Sequence, residues 1–104
     1  MGMFDMLGKL GEMKTKMEEV KKRLDEITVR GEAAKGQIKI DLTANRKVQS
    51  IEIDDRFFNI ENKAEFIDQL EIALSDALEK ANNVSESEMK AIGKDMLPNI
   101  PGLF

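Results

Sequence analysis

A strict heptad pattern of apolar residues runs through the first quarter of the chain. Seven apolar residues are separated alternately by four and three positions: Met6, Leu10, Met13, Met17, Val20, Leu24 and Ile27. This heptad seam contains no proline and predicts a long N-terminal helix from about Asp5 to Ile27. Because two apolar positions in seven form a narrower face than that of a typical globular helix, the seam suits packing against one neighbouring helix.

An alternating pattern of apolar and polar residues follows the helix. The alternation over 27–32 predicts a short first strand, and the alternation over 38–43 predicts a second strand. Gly36 lies between them, where a turn is expected. Residues 44–47 make a connection of hairpin length before a third predicted strand at 48–54.

One apolar residue of the third predicted strand is out of phase with the others. Ile51 and Ile53 share a face, whereas Val48 is separated from Ile51 by an odd number of positions. Val48 therefore either points to the other side of the sheet or lies at a β-bulge, and both alternatives stay open.

A second long helix is predicted near the C-terminus. Asn62 with Glu65 three residues later forms a helix-capping pattern. The expected buried stripe is Phe66, Leu70, Leu74, Ala77 and Ala81. Its apolar face is expected to shift by one position at Glu88, where the seam would need an apolar residue. Asn82–Asn83 and a second capping pattern at 85–88 coincide with that shift and predict either a kink or two consecutive helices.

These elements predict one α+β domain over residues 1–104. It consists of a long N-terminal helix, a three-stranded antiparallel sheet and a long C-terminal helix that is kinked or split. Pro98 and Pro101 end the last helix, so the apolar tail at 97–104 is expected to be extended and mobile until it packs on something. Two long helices offer more apolar surface than one small sheet covers, which favours a dimer.

The composition argues against most catalytic and metal chemistry. The chain contains no Cys and no His, which removes ordinary zinc sites, thiol nucleophiles and proton shuttles near neutral pH. The carboxylates Glu52, Asp54 and Asp55 lack the spacing of a metal-binding loop and are better explained as a solvated turn. We therefore expect a protein that is not an enzyme and needs no cofactor, metal or small-molecule substrate.

The N-terminal segment lacks the continuous apolar core of a secretory signal. Asp5 and Lys9 interrupt its apolar patch, and no stretch of the sequence approaches the length of a membrane span. A cysteine-free chain also needs no oxidising compartment. These features predict a cytoplasmic protein without a membrane partner.

The charge is distributed unevenly along the chain. The net charge is −4, but residues 1–47 carry 11 Lys or Arg against 8 Asp or Glu, a balance of +3. Residues 48–104 carry 5 against 12, a balance of −7. An anionic partner is therefore expected to meet the first half of the chain.

Several short segments occur together in a distinctive order. They are Met3–Leu10, Leu24–Ala33, Gly36–Ile40, Ile51–Asp54, Ala77–Ala81, Met96–Pro98 and Pro101–Phe104. Together they resemble the YbaB/EbfC family of bacterial nucleoid-associated proteins over nearly the whole chain. The resemblance implies a tweezer-like homodimer that is joined through its sheet regions and uses its helices as arms. It also implies binding of double-stranded DNA with low sequence preference, in chromosome organisation or gene regulation, and a location in the nucleoid.

Six basic residues of the first helix are the candidate DNA contacts. They are Lys9, Lys14, Lys16, Lys21, Lys22 and Arg23. Such side chains neutralise phosphates, and no aromatic residue is interleaved with them, so phosphate contacts are expected rather than base stacking. The alternative is an ordinary solvated helix face, because acidic residues flank the basic run at 21–23. The family resemblance favours DNA contacts over a solvated helix face.

The heptad seam is expected to have two roles. Its inner part, Val20, Leu24 and Ile27, lies near the predicted sheet and is expected to belong to the core. Its outer part, Leu10, Met13 and Met17, is expected to contact another helix of the same or the other protomer. A helix of ~20 residues spans about 30 Å and extends past a small sheet.

A second function remains open at this point. The helices and the apolar tail could grip another polypeptide, as in a protein-binding adaptor or chaperone-like clamp. The acidic net charge favours this alternative.

Overall fold

The computed structural model describes the backbone of residues 3–96 and the side chains of residues 8 and 10–92. The helices and strands are α1 (Met3–Glu26), β1 (Thr28–Ala33), β2 (Ile38–Thr43), β3 (Val48–Ile53) and α2 (Lys63–Met96). Short 3₁₀ turns occupy Ala34–Gly36, Asp55–Phe57 and Ile60–Asn62. The predicted α+β architecture is thus confirmed. The tail at 97–104, which was expected to be mobile, lies outside the described residues.

The three strands form an antiparallel sheet in the order β1-β2-β3. Asp41 pairs with Ser50 and Leu42 pairs with Val48, so Gln49 is the extra residue of a bulge. The bulge returns Val48 to the face that Ile51 occupies. Of the two alternatives for Val48, the β-bulge is therefore the correct one.

Helix α2 packs very closely on the sheet through small residues. Ala73 and Ala77 are fully buried, and a Cβ atom placed on Gly31 of β1 would lie 2.7 Å from the Cβ of Ala77. The prediction that Leu74 belongs to the buried stripe is wrong, because Leu74 is 40% exposed. At so short a helix–sheet distance the contact positions have room only for small side chains, so Leu74 lies on the flank and Ala73 faces the sheet.

Helix α2 continues without a break through Asn82–Asn83 to Met96, so the alternative of two consecutive helices is wrong. The expected shift of its packed face is wrong as well. Glu88 is half-buried and its Oε2 lies 2.7 Å from Nη2 of Arg23, whereas Met89 is 44% exposed. A carboxylate occupies the seam position because a guanidinium from α1 faces it.

A second buried cluster joins the two helices at the end of the sheet. Val20 and Leu24 of α1 pack with Ala44 of the β2–β3 connection, and Val84 and Ile92 of α2 lie against them. Ile27 is half-buried beside the same cluster. The expectation that the inner seam belongs to the core is confirmed.

The outer part of α1 projects from this body. Residues 3–19 are called the arm below. The molecule measures 69 × 27 × 16 Å, and its radius of gyration is 19.8 Å, whereas a compact domain of this length has about 13 Å. Over the described residues, neither helix has a stretch that is both long and apolar enough to cross a bilayer.

Candidate nucleic-acid interface

Two lines of basic residues flank the heptad seam of α1, partly on the arm and partly at its base. Since seven residues make about two helical turns, Lys14 and Lys21 lie along one flank. Lys9, Lys16 and Arg23, also seven apart, lie along the other flank. The side chain of Lys9 lies outside the described part. Four of the six candidate contacts have exposed side chains and Lys16 is half-buried.

The flank with Lys14 and Lys21 borders an open apolar groove. The groove has a volume of about 430 Å³ and is lined by Leu10, Met13, Lys14, Met17, Glu18 and Lys21. Leu10 is 60% exposed, and the two methionines are nearly 40% exposed. Within the described part of the chain, the outer seam therefore has no covering helix, and its expected inter-helix contact stays a prediction.

The second flank is partly neutralised by α2. The ion pair between Arg23 and Glu88 leaves the guanidinium just over half exposed but gives it a carboxylate partner. Lys14 and Lys21 do not take part in the salt bridges found among the described side chains. The two flanks therefore differ in the positive charge that they offer to a partner.

Lys22 lies apart from the other candidate contacts. One residue corresponds to a rotation of about 100°, so Lys22 faces away from the seam on the side that carries Glu18, Glu19 and Glu26. The basic run at 21–23 thus forms three separate surfaces rather than one patch.

The β2–β3 hairpin loop, Ala44–Lys47, ties the base of the arm to the sheet. Nδ2 of Asn45 donates to the carbonyl oxygen of Lys21 at 2.9 Å and to Oδ1 of Asp25 at 2.8 Å. Nζ of Lys47 lies 3.3 Å from the same Oδ1. The hydrogen bond from Asn45, followed by the effect of Lys47, lowers the pKa of Asp25. The loop therefore holds the last two turns of α1 against the end of the sheet.

The same loop reaches α2 through Arg46. Its Nη1 donates to Oδ1 of Asn82 at 2.9 Å, and its backbone has a left-handed φ of 66°. Sequence reasoning did not single out Arg46 and Lys47, the two basic residues of this loop. The signal that could have found them is a pair of basic residues in a short hairpin loop after a strand that lies beside the helix.

The face of the sheet opposite α2 carries a row of paired polar groups. Nε of Arg30 lies 2.7 Å from Oδ1 of Asp41, and Oγ of Ser50 donates to the other carboxylate oxygen at 2.8 Å. The hydrogen bond from Arg30, with that from Ser50, lowers the pKa of Asp41 to about 2. The charge of Arg30 is thus neutralised by Asp41 of the neighbouring strand β2.

Side chains of α2 form hydrogen bonds with backbone groups along the outer edge of β1. The backbone N–H of Ala34 donates to Oε1 of Gln69 at 3.0 Å, and that of Glu32 donates to Oδ2 of Asp76 at 3.2 Å. Nζ of Lys80 donates to the carbonyl oxygen of Arg30 at 2.8 Å. This edge is therefore closed to another strand.

The edge of β3 lacks such a cover among the described residues. The exposed fractions are 60% for Val48 and 53% for Ile51, although both lie on the face that packs against α2 elsewhere in the sheet. Ile67 and Leu74 lie on the flank of α2 opposite Asp76 and are exposed as well. These four apolar residues, Val48, Ile51, Ile67 and Leu74, are called the edge patch below.

The described residues include no group of three or more His, Cys, Asp or Glu side chains arranged to hold a metal ion.

The chain is similar to known proteins over almost its full length. It is 43% identical to a nucleoid-associated protein of Flavobacterium johnsoniae over 99% of this chain and 95% of that one. It is 34% identical to a nucleoid-associated protein of Dictyoglomus turgidum, over 97% of this chain and 96% of that one.

A solved structure shares the fold. An uncharacterized protein of Helicobacter pylori superimposes with a TM-score of 0.75 at 19% identity, over 94% of this chain and 99% of that one. The sequence profile of the YbaB/EbfC DNA-binding family matches residues 1–96. The similarity of sequence thus extends from the arm through the sheet to the end of α2, and the chain belongs to the YbaB/EbfC DNA-binding family.

Proposed function

We propose that this protein is a dimeric nucleoid-associated protein that binds double-stranded DNA through phosphate contacts with low sequence preference. The observation that carries the proposal is the projecting arm with its exposed basic flanks, in a chain of a DNA-binding family. Its location is then the nucleoid, where it organises the chromosome or regulates genes. The relatives from Flavobacterium and Dictyoglomus are named nucleoid-associated proteins.

Phosphate contacts follow from the chemistry of the arm. Lysine is a flexible point charge that neutralises phosphates, and phosphate contacts carry no direct sequence information. The described side chains of the arm include no aromatic residue that could stack on bases. Binding of this kind releases counterions, so the affinity falls steeply with salt and depends little on sequence.

The proposed dimer joins the two sheets through their β3 edges. An exposed edge strand offers unpaired backbone N–H and C=O groups, and pairing with a second β3 would satisfy them. The edge patch would be buried at the same time, since it lies beside that edge on the α2 side of the sheet. The closed edge of β1 leaves β3 as the better surface for this pairing.

The experiment is a gel-shift titration with duplexes of unrelated sequence at several salt concentrations. We expect similar affinities for all duplexes and a linear fall of the logarithm of the binding constant with the logarithm of salt. Absence of a salt-sensitive shift at low ionic strength would contradict the proposal.

A pair of matched variants locates the contact. Lys14→Gln with Lys21→Gln removes two charges from the groove flank of each protomer and is expected to lower the slope of the salt dependence by about 2 for every protomer that contacts the duplex. Lys35→Gln with Lys63→Gln removes the same charge from exposed lysines at the other end of the sheet and is expected to leave that slope unchanged. If the salt dependence had the same slope for both double variants, the DNA contact would not lie on this flank.

A protein-binding clamp is the second candidate function. The open groove of about 430 Å³ on the arm favours it, because an apolar helix of a partner could lie against Leu10, Met13 and Met17. In a competition experiment, a clamp would retain an amphipathic peptide in the presence of excess duplex DNA. A DNA-binding arm would release it.

A further inference from the structure

The hairpin loop Ala44–Lys47 places a basic side chain at the junction of both helices. Asn45 is hydrogen-bonded to α1 and Arg46 to α2, so the loop is held between them. Arg46 is exposed and keeps a left-handed φ of 66°, a conformation that favours Gly or Asn and costs free energy for Arg.

The partner of Arg46 holds the guanidinium without neutralising it. Oδ1 of Asn82 is a neutral acceptor, and Arg46 does not take part in the salt bridges found among the described side chains. Arg30 and Arg23, in contrast, each have a carboxylate partner at 2.7 Å. Arg46 therefore combines a fixed position with a charge that has no ion-pair partner among the described side chains, as suits a phosphate contact.

The loop lies at the end of the groove flank of α1. Asn45 bonds the carbonyl oxygen of Lys21, and Lys14 lies two turns further out on the same flank. Two helical turns correspond to about 11 Å, so Lys14 and Lys21 form a short basic row that ends at the loop. Glu18 lines the groove beside this row, and Asp25 at its inner end is paired with Lys47. Glu79 and Glu86, exposed one turn to either side of Asn82, repel a polyanion from the α2 side. A duplex would therefore reach the loop from the side of α1.

We propose that Arg46 is a DNA phosphate contact and that the hairpin loop extends the basic row of Lys14 and Lys21 onto the sheet. The proposal rests on the DNA-binding function proposed above. It adds a contact that is placed by the β2–β3 connection rather than by the arm, so the bound duplex would touch the body of the protein as well as α1.

The test compares the salt dependence of DNA binding for three proteins. Arg46→Gln is expected to weaken binding several-fold at low salt and to reduce the slope of the salt dependence by about 1 for every protomer that contacts the duplex. The control Lys35→Gln removes the same charge from an exposed residue that also has a left-handed φ, at the opposite end of the sheet. It is expected to behave like the unmodified protein.

The two proposals fail in different ways. If the unmodified protein does not bind DNA, the proposed function fails. If it binds and Arg46→Gln has the same slope as Lys35→Gln, only the role of the hairpin loop is overturned.

A second pair of variants keeps the proposal testable if Arg46→Gln does not fold. Asn82→Asp retains Arg46 and gives it a carboxylate partner, so it is expected to weaken DNA binding more than Asn83→Asp does. Asn83 is exposed and adjacent, and its replacement changes the charge equally. Equal effects of the two changes would overturn the contact.

Discussion

Gly31 of β1 lies so close to Ala77 of α2 that a Cβ atom on the glycine would come within 2.5 Å of the alanine backbone nitrogen. This spacing sets the distance between helix and sheet. It also decides which residues of α2 face the core, because side chains larger than Ala do not fit there.

Gly31→Ala is expected to destabilise the fold. The added methyl group meets backbone atoms of α2, which cannot move away as a flexible side chain can, so overpacking should cost about 1–3 kcal/mol or more. Urea unfolding at fixed protein concentration measures the loss. The control Gly11→Ala has open space around it within α1 and is expected to raise the free energy of unfolding by about 0.5–1 kcal/mol. Changes of the same sign in both variants would contradict the close-contact explanation.

Ile51→Lys is expected to convert the proposed dimer into monomers. The substitution places a charge in the edge patch, where pairing of the two β3 strands would bury it without a partner. Sedimentation velocity gives the mass of the species in solution. Glu52→Gln changes the charge by the same amount on the neighbouring residue, which faces the other side of the sheet, and should keep the dimer. A dimer that survives Ile51→Lys would exclude the β3 interface.

Glu88→Gln is expected to strengthen DNA binding. The change removes the carboxylate partner of Arg23 and frees a basic side chain beside the arm. Gel-shift titration at low salt measures the gain. Glu71→Gln removes an equal charge from an exposed position on α2 that takes no part in the salt bridges of the described residues. We expect a smaller gain for Glu71→Gln, and equal gains would mean that only the net charge matters.

Stability at acid pH should depend on Asp41. Its pKa is about 2 in the folded protein against an ordinary 3.8, because Arg30 and Ser50 hydrogen-bond its carboxylate. A lowered pKa stabilises the folded state above the ordinary value, and that contribution is lost as the pH falls from about 4 towards 2.

Thermal unfolding between pH 2 and 5 tests this dependence on Asp41. Asp41→Asn should lower the melting temperature at pH 5 and flatten its fall with acid. The control Glu61→Gln replaces an exposed carboxylate that is absent from the salt bridges of the described residues. Parallel pH profiles for the unmodified protein and Asp41→Asn would refute the assignment.

Part of the fold could be predicted because it depends on local chemistry. The period of the heptad seam indicated α1, and alternation indicated the three strands. The buried stripe of α2 was predicted only in part, because Ala73 is buried where Leu74 was expected. The short distance between helix and sheet leaves room only for the smaller side chain. Glu88 looked like an interruption of the seam because its partner is far away in the chain.

The candidate site was harder to predict than the fold. All six basic residues could be named, but helical rotation and the ion pair with Glu88 separate them into surfaces with different charge. Arg46 escaped notice because its neighbours along the chain do not show that it meets Asn82, 36 residues later.

The sequence by itself determined the order of the elements, the amphipathic seam, the uneven charge and the family resemblance, because these depend on each residue and its near neighbours. The tertiary structure decided how closely α2 approaches Gly31, which edge of the sheet is closed and which basic side chains have partners. Those features depend on contacts between residues far apart in the chain, and local patterns carry little information about such contacts.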